Sequence, residues 1–567
     1  MSDQKFHQFF SEYLEDYLRQ CPVHASQLGD HRYDDQLGDF SREARQTRTA
    51  AQRQTLQRFT DQIDYESLSR PAQIDHEVFR HDLEEQIWLA ENIPGFEEDP
   101  RSYNHYLSGS VYSLLTQSSL PHEENISNAI ARMRQLPGVL AEARRTLTNP
   151  PLPVLETSIG QNRGVISFYE KGIYELAGDS PQCTELRKAA EDLLAHLRDY
   201  QQFLETDLRA QASSDWRLGK EKFDRKLQFA VNAGITADEV LARAENEFRR
   251  VTDEMYVTAR QLWSRYHPGM PLPPDDETGR HETITRVLAS IGREHGHPGS
   301  LLADARATVD KLKQFITDND ILRLPDPDQC ELMEMPEFHR GNSLAYIQAA
   351  PPLDPENRTI YAISPPPADW DPERVESFLQ EYNRHMLQIL TIHEAYPGHY
   401  VQLAYHNRET SPIRRLLLSG VFIEGWAVYT EQMMLDQGYG EGDLALRLTQ
   451  LKFYLRAVAN AILDHRMHCT SMNDEEALDF LMNQSFQSEG EARLKIIRSK
   501  QSTVQLSTYF VGRMALCELR REIQREQGGD FDLGRYHEAV LANGSLPVKY
   551  LAEVVRERLR KPRQDPG

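Results

Sequence analysis

The spacing of apolar residues predicts α-helices along most of the chain. The pattern repeats at three- and four-residue intervals, which places apolar side chains on one face of a helix. The first such series consists of Phe6, Phe9, Phe10, Tyr13, Leu14 and Tyr17. The same spacing predicts further helices at about 125–148, 161–178, 185–212, 236–266, 282–293 and 302–316. We therefore expect a mainly α fold.

Loops and one strand interrupt the helical pattern. Proline, glycine and acidic residues predict loops at 267–279 and 324–329. The segment RTIYAISPPPADW (358–370) starts as a β-strand and ends in prolines. We expect its TIYAIS portion (359–364) to be an edge strand of a small sheet.

Two helices are predicted after this strand. The first begins with Asp371 as N-cap, Pro372 at the first helical position and an acidic Glu373, and it is expected to run on into HEAYPGHY (393–400). The second covers about 413–436 and ends near Gly438. Its LLLSGVFIEGWAVY stretch is apolar on almost every side, so this helix should be buried.

The composition narrows the class of protein. The 567 residues carry a net charge of −23, which disfavours binding to nucleic acid. The five cysteines are scattered, so we expect neither disulfides nor a thiolate metal site. No signal-peptide pattern and no apolar run of membrane-spanning length is visible. We predict a cytoplasmic protein that does not enter membranes; the oligomeric state stays open.

One histidine–glutamate pair lies in a distinctive setting. His393 and Glu394 precede a second histidine, His399, by six and five residues. On a straight helix six residues turn through about 600°, so the two imidazoles would lie about 120° apart. Pro397 and Gly398 should break the helix here and return His399 to the side of His393. The alternative is a helix end with two incidental histidines.

Glu424 is the third candidate ligand. It lies in the middle of an apolar helix, where an isolated carboxylate must be paired, protonated or bound to metal. Glu431, seven residues later, shares its face and could hydrogen-bond a ligand imidazole. The alternatives are a buried salt bridge to an arginine for Glu424 and a solvated edge position for Glu431.

This combination is typical of zinc hydrolases. Such a site needs three protein ligands, an open position for water and a neighbouring base. The sequence predicts one Zn²⁺ per chain, held by His393, His399 and Glu424, with Glu394 as general base. The expected substrate is a short peptide. Two alternatives remain: a non-peptide amide or ester as substrate, or a metal-free protein that binds peptides without turnover.

Other residues are candidates for contact with a substrate. The edge strand that contains Tyr361 could pair with an extended peptide backbone. Tyr509 and Arg513 are four residues apart on one predicted helix, so they can face the same cleft. We expect the Tyr509 hydroxyl to stabilise an oxyanion, and Arg513 or Arg498 to bind a substrate carboxylate.

Several blocks of the chain resemble the bacterial domain of unknown function 885 family. They are HEAYPGHYVQ, EGWAVYTE, VHASQLGDHRYDDQLGDFS (23–41), DFDLGRYHEAVLANGSLPVKYL (530–551) and the spacing of Arg498, Gln505, Tyr509 and Gly512. One departure is Thr503-Val504, where the family pattern has Pro-Gly, and it affects the expected loop geometry. Members resemble helical zinc peptidases of the gluzincin group.

The resemblance implies a fold and a site. It implies one family-wide domain over 1–567, with a large helical metallopeptidase-like fold and a small β-sheet beside a central cleft. We expect this cleft between a helical N-terminal part, about 1–325, and a catalytic C-terminal part, about 326–560, followed by a frayed tail at 561–567. The resemblance implies no particular substrate.

Overall fold

The helical prediction agrees with the architecture of the protein. A computed structural model describes residues 2–335, 345–355, 357–367 and 370–561. Helices make up most of these residues, and a single small sheet is present in the described ranges. The mainly α fold class is therefore confirmed. The tail expected to be frayed lies outside the described residues from 562 onward.

The helices before the sheet are α1 Ser2–Gln20, α2 Pro22–Leu28, α3 Arg42–Gln62, α4 Arg70–Asn92, α5 Gly95–Glu98, α6 Arg101–Gln117, α7 His122–Thr146, α8 Leu152–Ser167, α9 Ile173–Ala177, α10 Cys183–Phe203, α11 Lys220–Val231, α12 Ala237–Tyr266, α13 Glu277–Gly292 and α14 Leu301–Asp318. Four of the six helices predicted between 125 and 316 agree with single helices to within several residues. The segment predicted at 161–178 covers the end of α8 and all of α9, and the one predicted at 185–212 extends past the end of α10. Of the apolar series at the N-terminus, Phe6, Phe9 and Phe10 are buried on one face of α1, and its later members are partly buried.

The strands are β1 Cys330–Glu334, β2 Ala345–Gln348 and β3 Thr359–Ile363. The later helices are α15 Pro372–Glu381, α16 Arg384–Glu394, α17 His399–His406, α18 Pro412–Leu416, α19 Gly420–Asp436, α20 Leu444–Cys469, α21 Asp474–Asp479, α22 Glu489–Gln501, α23 Gln505–Gln527, α24 Leu533–Leu541 and α25 Leu551–Arg560. In the part of the chain that is described, no helix is both long and apolar enough to cross a membrane.

The chain forms two compact units. The first contains residues 1–216, 350–358 and 411–417, and the second contains 217–349, 359–410 and 418–567. The candidate site lies within the second unit. The predicted division near residue 325 and the predicted cleft stay predictions.

A buried polar network lies inside the first unit, in the block 23–41. The Arg132 guanidinium is fully buried and donates to the Ser26 hydroxyl and the Ser110 carbonyl. His31 contacts Asp34 at 2.8 Å and Asp354 at 3.5 Å. Buried polar groups need such partners to avoid an unpaid desolvation cost, so this block has a structural role in the first unit.

The strand prediction was right, but its position in the sheet was wrong. β3 is the central strand: it pairs with β1 in parallel and with β2 in antiparallel orientation. Its backbone groups therefore already have partners on both sides, and they cannot pair with a substrate. The sheet contacts the candidate site through the Tyr361 hydroxyl, which lies 3.2 Å from Thr391 Oγ1 of α16.

The two helices predicted after the sheet are each interrupted. The first splits into α15 and α16, because the Asn383 side chain accepts from the backbone amides of His385 and Met386 and starts a new helix. The second begins at Gly420 instead of 413, since Ser419 caps α19 by accepting from the Phe422 amide. The predicted cap of the first helix is confirmed: the Asp371 side chain accepts from the Arg374 amide.

Candidate metal centre

The helix break after His393 is the feature on which the site depends. α16 ends at Glu394 and α17 restarts at His399, with a cis peptide between Tyr396 and Pro397. The predicted break at 396–398 is confirmed. It brings the imidazole centroids of His393 and His399 to 4.8 Å, although the two residues are six positions apart.

The helix break has no room for a side chain at Gly398. A Cβ at this position would lie 1.9 Å from the His393 carbonyl oxygen and 2.3 Å from that of Ile392. The backbone angles of Gly398 are φ −71° and ψ −132°, outside the helical range. Close approach of the two helix ends excludes any side chain here.

Three polar contacts fix the break in place. The Trp426 indole donates to the Pro397 carbonyl at 2.9 Å, and the hydroxyls of Tyr396 and Tyr400 donate to Asp328 at 2.9 and 2.7 Å. Asp328 was not among the residues predicted for the site. Its signal in the sequence is weak, because it lies in a loop that is 65 residues before His393.

Glu424 of α19 completes a group of three possible metal ligands. Its Oε2 lies 3.5 Å from His399 Nε2 and 3.9 Å from His393 Nε2, and the three ligand atoms lie within 4.8 Å of one another. Ligands about 2.05 Å from a tetrahedral ion are separated by about 3.3 Å, so small side-chain movements would bring these atoms into coordination distance. Two imidazoles and one carboxylate fit a divalent transition metal.

Glu431 contacts the His393 ring at Nδ1, whereas Glu424 lies near Nε2. Its Oε1 lies 2.7 Å from His393 Nδ1, and its side chain is 0% exposed. When Nδ1 carries the proton and donates to Glu431, the lone pair of Nε2 is left on the side of Glu424, 3.9 Å away. A carboxylate behind a histidine in this way orients the ring and raises its basicity as a ligand.

The electrostatic environment favours neutral imidazole at His393. Burial, together with the neighbouring His399, lowers the pKa of His393 to about 3. Burial alone would raise the pKa of Glu424, but the contact with His399, and then His393 and the Tyr509 hydroxyl, lower it below its usual value. A neutral imidazole and an ionised carboxylate are the forms that bind metal.

Glu394 lies directly after a candidate ligand and has the pKa expected of a proton carrier. Burial, opposed by His399 and aided by Glu424, raises the pKa of Glu394 to about 7. A carboxylate with a pKa near the working pH can both accept and return a proton. Successive residues of a helix point about 100° apart around its axis, so the Glu394 side chain leaves α16 in a different direction from His393. This direction suits contact with a water beside the candidate ligands better than a place among them.

Tyr509 reaches the site because two helices touch at their glycines. A Cβ on Gly425 of α19 would lie 2.4 Å from the backbone of Gly512, and one on Gly512 of α23 would lie 1.9 Å from the Val421 carbonyl oxygen. This contact brings Tyr509 of α23 next to Glu424. The Tyr509 hydroxyl accepts from Arg498 at 3.3 Å and from Gln505 at 3.4 Å, which leaves its own hydrogen available to the site.

Two residues predicted to bind substrate, Tyr361 and Arg513, are buried and contact other parts of the protein instead. The Tyr361 side chain is 0% exposed beneath α16. Arg513 is also buried: its guanidinium donates to the Tyr454 hydroxyl at 2.6 Å and to Gln432, and it lies 3.6 Å from Glu247. The contacts of Arg513 are thus with residues of α12, α19 and α20, and its side chain is buried among these helices. Arg498, in contrast, is exposed.

The fold and the site together describe a helical protein with a candidate metal centre of two histidines and one glutamate. Residues 22–555 match the family of bacterial proteins of unknown function DUF885, and the chain belongs to this family. No functionally curated protein matches it.

Two solved structures have the same fold. One is a candidate lipoprotein of unknown function from Shewanella oneidensis, with 29% identity, a TM-score of 0.82 and coverage of 97% of this chain and 99% of that one. The other is a candidate lipoprotein from Colwellia psychrerythraea, with 17% identity, a TM-score of 0.79 and coverage of 99% of both chains. The second likeness concerns the fold alone.

Proposed function

We propose that this protein is a zinc-dependent hydrolase of the gluzincin type that cleaves peptide bonds. The observation that carries the proposal is the convergence of His393, His399 and Glu424, with Glu394 beside them and Glu431 behind His393. A peptide-binding protein without turnover has no need of a buried carboxylate whose pKa is raised to about 7. The donor set fits zinc, which prefers nitrogen and oxygen ligands in tetrahedral sites.

The protein's own groups can perform the proton transfers of amide hydrolysis. Zinc, when bound, would polarise the substrate carbonyl and make water a stronger nucleophile at neutral pH. Glu394 removes a proton from the attacking water and returns it to the leaving nitrogen. The Tyr509 hydroxyl, whose oxygen accepts from Arg498 and Gln505, donates to the oxyanion that develops on the carbonyl.

The first test measures metal and turnover together. Protein purified without chelators should contain about one zinc per chain, and chelation should abolish hydrolysis of a peptide mixture. A parallel panel of non-peptide amides and esters separates the proposed substrate class from the alternative one. Zinc-loaded protein that cleaves only the non-peptide panel would contradict the peptidase assignment, and an absence of any bound metal would contradict the metal centre.

The second test concerns the general base. Glu394→Gln keeps the shape of the side chain but removes its basicity, so kcat should fall by about 10²–10⁴-fold, or about 3–5 kcal/mol of barrier. Zinc content should not change, and KM should change much less. Glu373→Gln, an exposed position on α15, is the control. Loss of zinc from Glu394→Gln would make Glu394 a ligand, and retention of more than about a tenth of kcat would exclude it as the base.

The composition also led to predictions that these tests leave open. A cytoplasmic location and the absence of nucleic-acid binding stay predictions, which cell fractionation and a gel-shift assay check directly.

A further inference from the structure

Three cationic side chains lie close together beside the candidate metal centre. Arg456 belongs to α20, and Lys495 and Arg498 belong to α22, one turn apart. Arg456 is paired with Glu491 at 2.9 Å, and its guanidinium lies 5.3 Å from the centre of the Phe453 ring, which in turn contacts the His393 ring at 5.8 Å. The Phe453 ring therefore lies between Arg456 and the imidazole of a candidate ligand.

Two of these cations lack an acidic partner. Within the described ranges, neither Lys495 nor Arg498 forms an ion pair with a carboxylate, and the hydrogen bonds of Arg498 go to two neutral side chains, Gln505 and Tyr509. The chain has 87 acidic and 64 basic residues, so carboxylates outnumber the cations that could pair with them. Two cations without a carboxylate partner favour an anion from outside the chain.

Arg498 is in the right place to contact a substrate. It is exposed, and its Nη2 donates to Gln505 Oε1 at 2.7 Å and to the Tyr509 hydroxyl at 3.3 Å. These contacts use one end of the guanidinium and leave its other donors available for a bidentate contact with a carboxylate. The Tyr509 hydroxyl also contacts Glu424 and lowers its pKa, so only the Tyr509 side chain separates Arg498 from this candidate metal ligand.

Lys495 strengthens the case for an anionic ligand. Burial, together with the charges of Arg456 and Arg498, lowers the pKa of Lys495 to about 7. The ammonium form is thus disfavoured by burial and by repulsion from the two guanidinium groups, which the attraction of Glu491 only partly offsets. An anion placed among the three cations would remove this repulsion, and the low local dielectric would strengthen its attraction to them.

We propose that Arg498, supported by Lys495, binds a substrate carboxylate close to the scissile bond. The preferred substrates would then be short peptides with either a free C-terminal carboxylate or an acidic side chain next to the cleaved bond. This inference rests on the proposed function, since it places the carboxylate relative to the candidate metal centre. It assigns Arg498 to substrate selection, in addition to its contact with Tyr509.

The test measures binding without turnover. Tetra-alanine as the free acid, tetra-alanine amide, and an amide with glutamate at its last position are titrated calorimetrically into the Glu394→Gln protein. The free acid or the glutamate amide should bind about 10–100-fold more tightly than tetra-alanine amide, as expected for a charge-assisted hydrogen bond. Which of the two carboxylate peptides gains affinity identifies the source of the carboxylate.

Substitutions on α22 then locate the effect. Arg498→Gln should remove the preference for a carboxylate, Lys495→Gln should reduce it, and Arg498→Lys should keep part of it because the charge remains. Arg493→Gln is the matched control: it changes an exposed arginine of the same helix that already pairs with Glu489 at 2.7 Å. The preference should be unchanged in this control.

The outcomes separate the two proposals. Equal affinity for all three peptides, or a preference that survives Arg498→Gln in a protein with normal thermal stability, would overturn the carboxylate site. If the preference depends on Arg498 but zinc-loaded wild-type protein hydrolyses no amide, the carboxylate site stands and the hydrolase proposal fails. If amides are hydrolysed without any preference for a carboxylate, the hydrolase proposal stands and this inference fails.

Discussion

Substitution of Glu431 tests whether the carboxylate behind His393 supports metal binding. Glu431 is fully buried and contacts His393 Nδ1 at 2.7 Å, so Glu431→Gln keeps the volume and one acceptor oxygen but removes the negative charge. Carboxylates in this position typically contribute 10–100-fold to metal affinity. At 1.36 kcal/mol per decade, this corresponds to about 1.4–2.7 kcal/mol of zinc binding free energy. Glu431→Ala, which also removes the hydrogen bond, should weaken binding further.

The fold should respond differently from the metal site. Burial raises the pKa of Glu431 well above its usual value, so a neutral amide fits this position at least as well as a carboxylate when no metal is bound. We therefore expect the thermal midpoint of metal-free Glu431→Gln to equal or exceed that of the metal-free wild type, while its zinc affinity falls.

Competition with a chelator of known zinc affinity measures the zinc affinity, and calorimetry measures the thermal midpoint. Asp464→Asn is the control, because Asp464 is equally buried but contacts Ser507 and the Val504 amide instead of a candidate ligand. Unchanged zinc affinity in Glu431→Gln would refute the supporting role of Glu431. A parallel loss of affinity in Asp464→Asn would show that the effect comes from general destabilisation.

Two further predictions concern stability. Gly512→Ala should destabilise the protein by about 1–3 kcal/mol and reduce its zinc content, because the new methyl group would lie 1.9 Å from the Val421 carbonyl oxygen. Gly490→Ala is the control: its methyl group meets no atom within 4 Å, so thermal unfolding and metal analysis should show unchanged stability and zinc content. Burial raises the pKa of Asp464 from 3.8 to about 7 in the folded chain, so the folded state keeps a proton that the unfolded state has lost. The unfolding free energy should therefore fall as pH rises from about 4 to 7, by at most about 1.4 kcal/mol per pH unit. Denaturant titrations at several pH values should show that the unfolding free energy of Asp464→Asn depends less steeply on pH than that of the wild type. An equal dependence on pH in the two proteins would contradict the raised pKa of Asp464.

The sequence predicts those parts of the site that depend on local chemistry. Pro397 cannot donate a hydrogen bond and Gly398 alone fits between the helix ends, so the break follows from two adjacent residues. The long helices are predictable for the same reason, because their apolar spacing persists over many turns. Glu424 and Glu431 could be linked by their seven-residue separation on a single helix.

Features that depend on distant partners could not be predicted. The central position of β3 results from its pairing with β1, 29 residues earlier, and no property of TIYAIS itself reveals that neighbour. Arg513 follows Tyr509 by one helical turn, yet its donors go to residues on three other helices. The interruption at Asn383 was hidden because the apolar stripe continues from α15 into α16, and periodicity alone does not show a cap.

The departure from the family pattern before Gln505 has a clear structural consequence. Val504 adopts a φ of +64°, a conformation that glycine enters freely and a β-branched residue rarely does. The backbone is held there because the Val504 amide donates to Asp464 at 3.1 Å and the Ser507 hydroxyl donates to the same carboxylate at 2.8 Å. The start of α23 is therefore kept, and Tyr509, one turn later, still reaches the site.

Helix α19 sets the geometry of the candidate centre through several contacts at once. Within two turns it supplies the candidate ligand Glu424, the close approach at Gly425, the indole of Trp426 that donates to Pro397, and Glu431 behind His393. A shift of one residue in this helix would turn every side chain by about 100° and move it by 1.5 Å. All four contacts would then be lost together. The block EGWAVYTE is thus a single geometric unit, in which the candidate metal ligand and the groups that position the site share one helix and one register.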